Sequence, residues 1–336
     1  MLDSSHGPCQ LSTGPDVGVW IFGETAKMRI FLTGASGFIG SALCRALLDA
    51  GHEVAALTRT EKPWRVADRT DEITWISGSL ETISDWQEEL RSFHPDAVGH
   101  LGWAGVANSD RDSCIQVDNL PWCAKLVELA SSAGAHTFLG LGSQAEYGPK
   151  PEAIASDAET DPTTLYGEAK LAACNICGHL ARLHGMRFVW MRVFSTYGPG
   201  DHPYWMIPSI IDLMLQGKSP ALTAGEQQWG FLHVEDAARA IRMAFETEAA
   251  RGIYALGSPD APRLRATVEA IRDYIDPSLM LGFGEVPYRE DQVMYLAADT
   301  TRLKEDLDWA PVVPLDEGLR QTVDWFRDQH DRKTVS

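Results

Sequence analysis

The stretch Arg29-Ile-Phe-Leu-Thr-Gly-Ala-Ser-Gly-Phe-Ile-Gly40 constrains this chain more than any other. Its apolar run, Ile30-Phe31-Leu32, reads as a buried strand. Gly34, Gly37 and Gly40 follow at three-residue spacing. A helical pattern comes next, with Phe38, Ile39, Leu43, Leu47 and Leu48 on one side. A strand, a glycine turn and a helix in this order form a site for a dinucleotide pyrophosphate. The glycines permit a tight turn and close backbone approach, and the helix N-terminus offers free N–H groups and a positive dipole end. The spacing departs from the commoner G-x-G-x-x-G, so the flanking strand and helix carry the reading rather than the triplet.

The pattern then repeats. Strands are expected at His52–Leu57, Ile73–Ile76, Ala97–Leu101, Thr137–Leu141 and Phe188–Arg192. Helical periodicity separates them, most extended over 113–133 and 163–184. Alternating strands and helices over this length specify an α/β fold, a Rossmann-type doubly wound parallel sheet. Beyond Gly198-Pro-Gly200 the regularity loosens into a smaller mixed α/β C-terminal lobe. Residues 28–195 are read as the NAD(P)-binding domain, with 231–250 packing back on it. The substrate lobe is assigned to 196–230 and 251–330. Residues 1–27 fit neither part and read as a flexible extension, with Met28 as the start of the domain.

Composition bounds the partners. The chain has 336 residues, a formal net charge of −18, 44% hydrophobic and 23% charged residues. That is ample for a large buried core. The acidic balance argues against nucleic-acid and anionic-membrane partners, and no apolar run approaches the roughly 20 residues of a transmembrane helix. An anionic ligand must therefore be held by helix N-termini and particular arginines. The dispersed cysteines suit a cytoplasmic protein. Cys174 and Cys177 read as small buried hydrophobes, with no second pair to complete a metal site.

A second motif, Tyr166-Gly-Glu-Ala-Lys170, lies in the 163–184 helical pattern, where positions i and i+4 share a face. A lysine cation beside a phenol stabilises its ionised form and brings it toward acid–base use near neutral pH. Ser143, just past the fifth strand, places a hydroxyl where a carbonyl or alcohol can be bound. At the end of the second strand, Thr58-Arg59 stands where an acid would hold a ribose 2′-OH. An arginine there accommodates a 2′-phosphate, so NADP is expected, with NAD as the alternative.

With these residues together, the chain resembles the extended short-chain dehydrogenases/reductases, the group of nucleotide-sugar epimerases, dehydratases and reductases. The resemblance spans about 28–328. It is carried by Thr33-Gly-Ala-Ser-Gly-Phe-Ile-Gly40, Ser143 before Tyr147-Gly148, Tyr166 with Lys170, Arg192-Val-Phe-Ser-Thr-Tyr-Gly-Pro-Gly200, Phe231-Leu-His-Val234 and Asp299-Thr-Thr-Arg-Leu303. The resemblance implies that Tyr166 is the acid–base, that Lys170 holds the nicotinamide ribose and tunes Tyr166, and that Ser143 orients a sugar oxygen. It implies cofactor contacts at Gly34, Ser36, Gly37, Phe38, Ile39, Gly40, Thr58, Arg59, Leu80, Leu101 and Gly102. Substrate contacts fall at Ser143, Gln144, Ser195, Trp229 and Arg289, the last on the nucleotide diphosphate. No metal is implied, and His233 is read as a hydrogen-bonded packing residue.

The departures from that family narrow the chemistry. Gln144-Ala145 stands where the 4,6-dehydratases carry Asp-Glu, so dehydration is not expected. Trp229-Gly230 replaces a usual Arg-Asp, and Ser195 a frequent Asn. The expected activity is oxidoreduction at C4 of a nucleotide-activated hexose, as an NADPH-dependent 4-ketoreductase. A 4-epimerase that retains NAD and a non-catalytic NAD(P)-binding sensor are the alternatives. The helices over 113–133 and 163–184 are expected to form a homodimer interface.

Overall fold

The computed structural model describes residues 26–60 and 63–335. The extension expected over 1–27 lies outside them up to residue 25. In chain order the first half comprises β1 (Arg29–Thr33), α1 (Phe38–Asp49), β2 (Glu53–Thr58), β3 (Ile73–Ser77), α2 (Ile83–Phe93), β4 (Ala97–His100), α3 (Ile115–Ser132), β5 (Thr137–Ser143), α4 (Leu165–Leu183) and β6 (Arg187–Val193). There follow β7 (Ser195–Tyr197), α5 (Met206–Leu215), β8 (Ala221–Leu222), β9 (Gln228–Trp229), β10 (Phe231–His233), α6 (Val234–Glu246) and β11 (Gly252–Leu256). The chain closes with α7 (Leu264–Ile275), β12 (Gly282–Phe283), β13 (Tyr295–Leu296), α8 (Thr301–Leu307) and α9 (Leu315–Val335).

Seven strands form one sheet in the order β11-β6-β5-β4-β1-β2-β3, and every pairing in it is parallel. Alternation of side chains along a strand explains why both faces must be covered. On β1, Ile30 and Leu32 join a core with Leu43 and Leu47 of α1 and Ile241 and Phe245 of α6. Phe31 points the other way, into a core with Trp86 and Leu90 of α2, Leu126 of α3 and Ala173 and Cys177 of α4. The chain runs outward from β1 to β2 and β3, then returns to place β4 on the opposite side of β1. The reversal opens a crevice at the carboxyl ends of these strands, the place where open α/β sheets bind ligands.

The lobe has its own core, from Ile207, Ile210 and Ile211 of α5, Val268 and Ile271 of α7 and Leu319 and Val323 of α9. Its strands are two-residue pairs, β8 with β12 and β9 with β13. The boundary expected at 251 is corrected in two places. β11 pairs with β6 over Gly252↔Val189 to Leu256↔Val193, as an edge of the central sheet. Leu303 and Leu307 of α8, with Trp309, join the core beside α1 and α6. Both segments are short, and their apolar residues find cover on the large sheet rather than in the lobe.

Candidate active site

The cofactor turn is built by backbone contact. Gly34 has φ +73°, and a Cβ there would lie 2.6 Å from the Gly102 nitrogen. A Cβ on Gly40 would lie 2.1 Å from the Gly34 carbonyl oxygen. Any side chain at either place would push the turn away from β4 or from α1. The Thr33 hydroxyl accepts the Gly102 N–H at 3.1 Å and sits 2.8 Å from His100 Nδ1, which ties the end of β1 to that of β4. Gly34, Leu101, Gly102 and Leu80 therefore come together, with Leu80 Cδ1 3.4 Å from the position of a Gly102 Cβ. Ser36, Gly37, Phe38 and Ile39 are half-buried in the turn and first helical residues. No side chain caps α1 at Gly37, and its first turn holds no acid. Its N–H groups are left for an anion, and a dinucleotide pyrophosphate fits this cradle.

At the other end of the cofactor crevice, the Thr58 hydroxyl donates to the Thr60 carbonyl at 2.8 Å, turning the chain at the end of β2. Arg59 is exposed beside it. Glu61, the first acid after this strand, lies outside the described residues.

Ser143 is the last residue of β5 rather than one beyond it. Its hydroxyl accepts the Ala145 N–H at 3.1 Å, and its own N–H donates to Glu146 at 2.8 Å. Across from it α4 begins at Leu165, where the Thr164 hydroxyl accepts the Gly167 N–H at 3.2 Å. Gly167 packs against the Ala145 carbonyl, so the turn after β5 and the first turn of α4 interlock. Tyr166 faces Ser143 through this junction. Burial holds the Tyr166 phenol above its usual range; the Ser143 hydrogen bond and then Arg111 oppose that rise, and Glu146 adds to it.

Lys170 shares the helix face of Tyr166, but its ammonium is committed elsewhere. Nζ donates to the Leu141 carbonyl at 2.8 Å and lies 3.8 Å from the centre of the Trp103 ring. It stands 6.0 Å from the centre of the Tyr166 ring. Burial brings Lys170 down to about 8, opposed by nearby groups of negative character. The guanidinium of Arg111 lies closer to the same ring centre, at 4.7 Å.

Several of these residues escaped the sequence reading. Trp103 is edge-on to Tyr166, with ring centres 6.4 Å apart. Gln116 and Asn119, buried on α3, hold its loop. Trp103 Nε1 donates to Gln116 Oε1 at 2.8 Å, Gln116 Nε2 to the Gly105 carbonyl at 2.6 Å, and Ala104 N to Asn119 Oδ1 at 2.9 Å. An aromatic set among Gly102, Ala104 and Gly105 was the available signal for Trp103; Arg111 reads only as part of a solvated charge run. Glu146 was also missed. It is wholly buried and takes hydrogen bonds from Arg192 Nε at 2.6 Å and Trp190 Nε1 at 3.1 Å. Together with the Ser143 N–H these commit its carboxylate, since a buried charge needs such partners.

The substrate candidates divide. Gln144 is half-buried next to Ser143. Ser195 and Trp229 meet across β7 and β9, Nε1 donating to Oγ at 2.7 Å. Arg289 stands apart on the loop before β13, its side chain 75% exposed and 3.7 Å from Asp291. His233 is buried, yet neither ring nitrogen has a hydrogen-bond partner among the described residues. It packs edge-on to Tyr197 and against Gly318. Cys174 and Cys177 are both buried, and Cys177 faces Cys123 of α3 rather than Cys174. Among the described residues no cluster of His, Cys, Asp and Glu could hold a metal, and no helix is long and apolar enough to cross a membrane.

Residues 30–257 match the model of the NAD dependent epimerase/dehydratase family. The chain is 27% identical to a dTDP-glucose 4,6-dehydratase of Streptomyces niveus, over 90% of this chain and 93% of that one. Among solved structures it resembles UDP-glucose 4-epimerase from Thermotoga maritima with UDP-glucose, at 25% identity and TM-score 0.77, covering 92% of this chain and all of the other. The dTDP-glucose 4,6-dehydratase of Streptomyces venezuelae with NAD bound shares the fold at TM-score 0.79 and 23% identity, over 91% and 98% of the two chains. This chain belongs to the NAD dependent epimerase/dehydratase family and is an enzyme of the extended short-chain dehydrogenase/reductase type.

Proposed function

We propose that this family member is an NADPH-dependent 4-ketoreductase of a nucleotide-activated 4-keto-6-deoxyhexose, a step of deoxysugar biosynthesis. The observation that carries the reading is the arrangement around Tyr166. A phenol and a hydroxyl, Ser143, face each other at the carboxyl end of β5, while the one acid of the following turn, Glu146, is bound to Arg192 and Trp190. The relatives named above include 4,6-dehydratases, but Gln144 and Ala145 give this site no free acid to remove water. Proton exchange at a sugar oxygen, coupled to oxidoreduction at its carbon, is the chemistry left to these residues.

When bound, the nicotinamide cofactor supplies the hydride. Ser143 donates a hydrogen bond to the C4 carbonyl oxygen and fixes it in line with Tyr166. The Tyr166 hydroxyl gives its proton to that oxygen as C4 is reduced, which leaves a phenolate to be reprotonated from solvent. Lys170 is assigned to the nicotinamide ribose hydroxyls, with the donors left over from its bond to the Leu141 carbonyl. The exposed Arg59 at the end of β2 favours NADPH through its 2′-phosphate, which in turn favours net reduction. Ser195, Trp229 and Arg289 are assigned to the nucleotide-sugar side, and a homodimer through α3 and α4 in the cytoplasm completes the reading.

The test is an assay with NADPH and a nucleotide-linked 4-keto-6-deoxyhexose. The expected result is one NADPH consumed per sugar reduced. Redox-neutral interconversion of two nucleotide hexoses, with NAD retained by the purified protein, would instead establish the 4-epimerase alternative.

A further inference from the structure

We propose that Trp103 is a positioning residue for Lys170: its indole face keeps the ammonium charged and in place at the end of β5, where it serves Tyr166 and the cofactor. The contact stands by itself; its part in turnover rests on the reductase reading. Lys170 Nζ lies 3.8 Å from the centre of the Trp103 ring. An ammonium is attracted to the negative face of an aromatic ring, and more strongly where water is excluded. Lys170 is buried.

The lysine has need of such a partner. Nζ carries three donors, and one goes to the Leu141 carbonyl at 2.8 Å. The negative groups around it are engaged by others. From the turn after β5, Glu146 is bound to Arg192 and Trp190. From α3, Cys123 has its sulfur 3.1 Å from His100 Nε2 of β4. From α4 itself come Cys177 and the Tyr166 ring, whose centre is 6.0 Å from Nζ. None of these offers an uncommitted carboxylate, so the aromatic face stands where a counter-ion would.

Trp103 is held to this place by side chains of α3. Its Nε1 donates to Gln116 Oε1 at 2.8 Å, and Gln116 Nε2 donates to the Gly105 and Asp110 carbonyls at 2.6 and 2.9 Å. Asn119 clamps the next residue from both sides, accepting the Ala104 N–H at 2.9 Å and donating to the Ala104 carbonyl at 3.2 Å. Both amides are buried. Gly105 has φ +79°, and a Cβ there would lie 2.8 Å from Gln116 Nε2. Two buried amides spent on one short loop fix the plane of the indole. It stands at 88° to the Tyr166 ring, with 6.4 Å between centres, and so lies against both members of the tyrosine–lysine pair.

Burial favours the neutral amine and brings Lys170 down to about 8. The ring face opposes that change. Without it the ammonium is lost at a lower pH, and Tyr166 loses the cation beside it. Leucine or methionine at 103 fills much of the same space but has no negative face, whereas phenylalanine keeps one.

The titration of Lys170 can be read without sugar or cofactor, from the Cε resonance of labelled lysine that is missing in Lys170→Arg. Trp103→Leu is expected to move it down by about one pH unit, and Trp103→Phe to keep most of the parent value. Trp103→Met repeats the test if Trp103→Leu does not fold. In NADP-dependent oxidation of the product alcohol, Trp103→Leu should show no loss in kcat/KM well below the Lys170 pKa, and a loss growing to about tenfold as pH rises past it. Trp103→Phe should recover most of that loss. A Lys170 titration that is unmoved or raised in the folded apolar variants, or displaced as far in Trp103→Phe, overturns the assignment. A kinetic loss equal at every pH overturns the part in turnover. A displaced titration in a protein that reduces no nucleotide sugar would support Trp103 while refuting the reductase reading.

Discussion

The two walls of the cleft are made in different ways. The wall around Tyr166 is drawn from the ends of long elements, β5 and α4, and from a loop locked onto α3. Ser143, Tyr166 and Lys170 each have a defined partner there, and a hydrogen-bonded framework fixes their separations. The proposed substrate residues are held differently: Ser195 and Trp229 meet by one hydrogen bond between two- and three-residue strands, and Arg289 lies exposed on the loop before β13. Chemistry shared across a family needs atoms held to fractions of an ångström, which long elements and interlocked turns supply. A surface that varies without disturbing that geometry is more readily built from loops and short strands, although Trp229 still packs against the cluster of Tyr147, Phe194 and Ala255 at the edge of the main sheet.

Two substitutions probe this contrast, the larger effect first. Tyr166→Phe removes the proton donor and little packing. It should lower kcat by roughly 10²- to 10⁴-fold while KM and cofactor affinity stay near those of the parent enzyme, as measured by steady-state kinetics and cofactor fluorescence. Equal losses in kcat and in cofactor binding would show that the two walls are not separable in this way. Arg289→Ala should raise KM about tenfold with little change in kcat, the loss of one charge-assisted contact to a diphosphate. A collapse of kcat in that variant would place Arg289 within the fixed wall, and an unchanged KM would remove it from the site.

Legibility in the sequence followed the same division. Gly34, Gly37 and Gly40 sit between a strand and a helix, so local pattern alone reveals the turn. Tyr166 and Lys170 are one helical turn apart, and their common face follows from that spacing. What Lys170 touches does not follow: its ammonium is drawn to the Leu141 carbonyl at the end of β5, 29 residues away. Arg111 was hidden because it meets Tyr166 only when the loop before α3 docks on α4. Glu146 was hidden for a related reason, since its partners Arg192 and Trp190 come from β6. The placement of β11 was misread because the five residues Gly252–Leu256 show no sign in themselves of which sheet covers them. The short-range chemistry was thus visible, and the long-range pairings that complete it were not.

The central claim, net reduction at C4 by Tyr166-assisted proton transfer, is most directly tested by following the hydride itself. NADPH carrying deuterium at the transferable nicotinamide position, with a nucleotide-linked 4-keto-6-deoxyhexose, should give a product with one deuterium at C4 and an equal amount of NADP. A product without that label, or a sugar epimerised at C4 with no cofactor consumed, would contradict it.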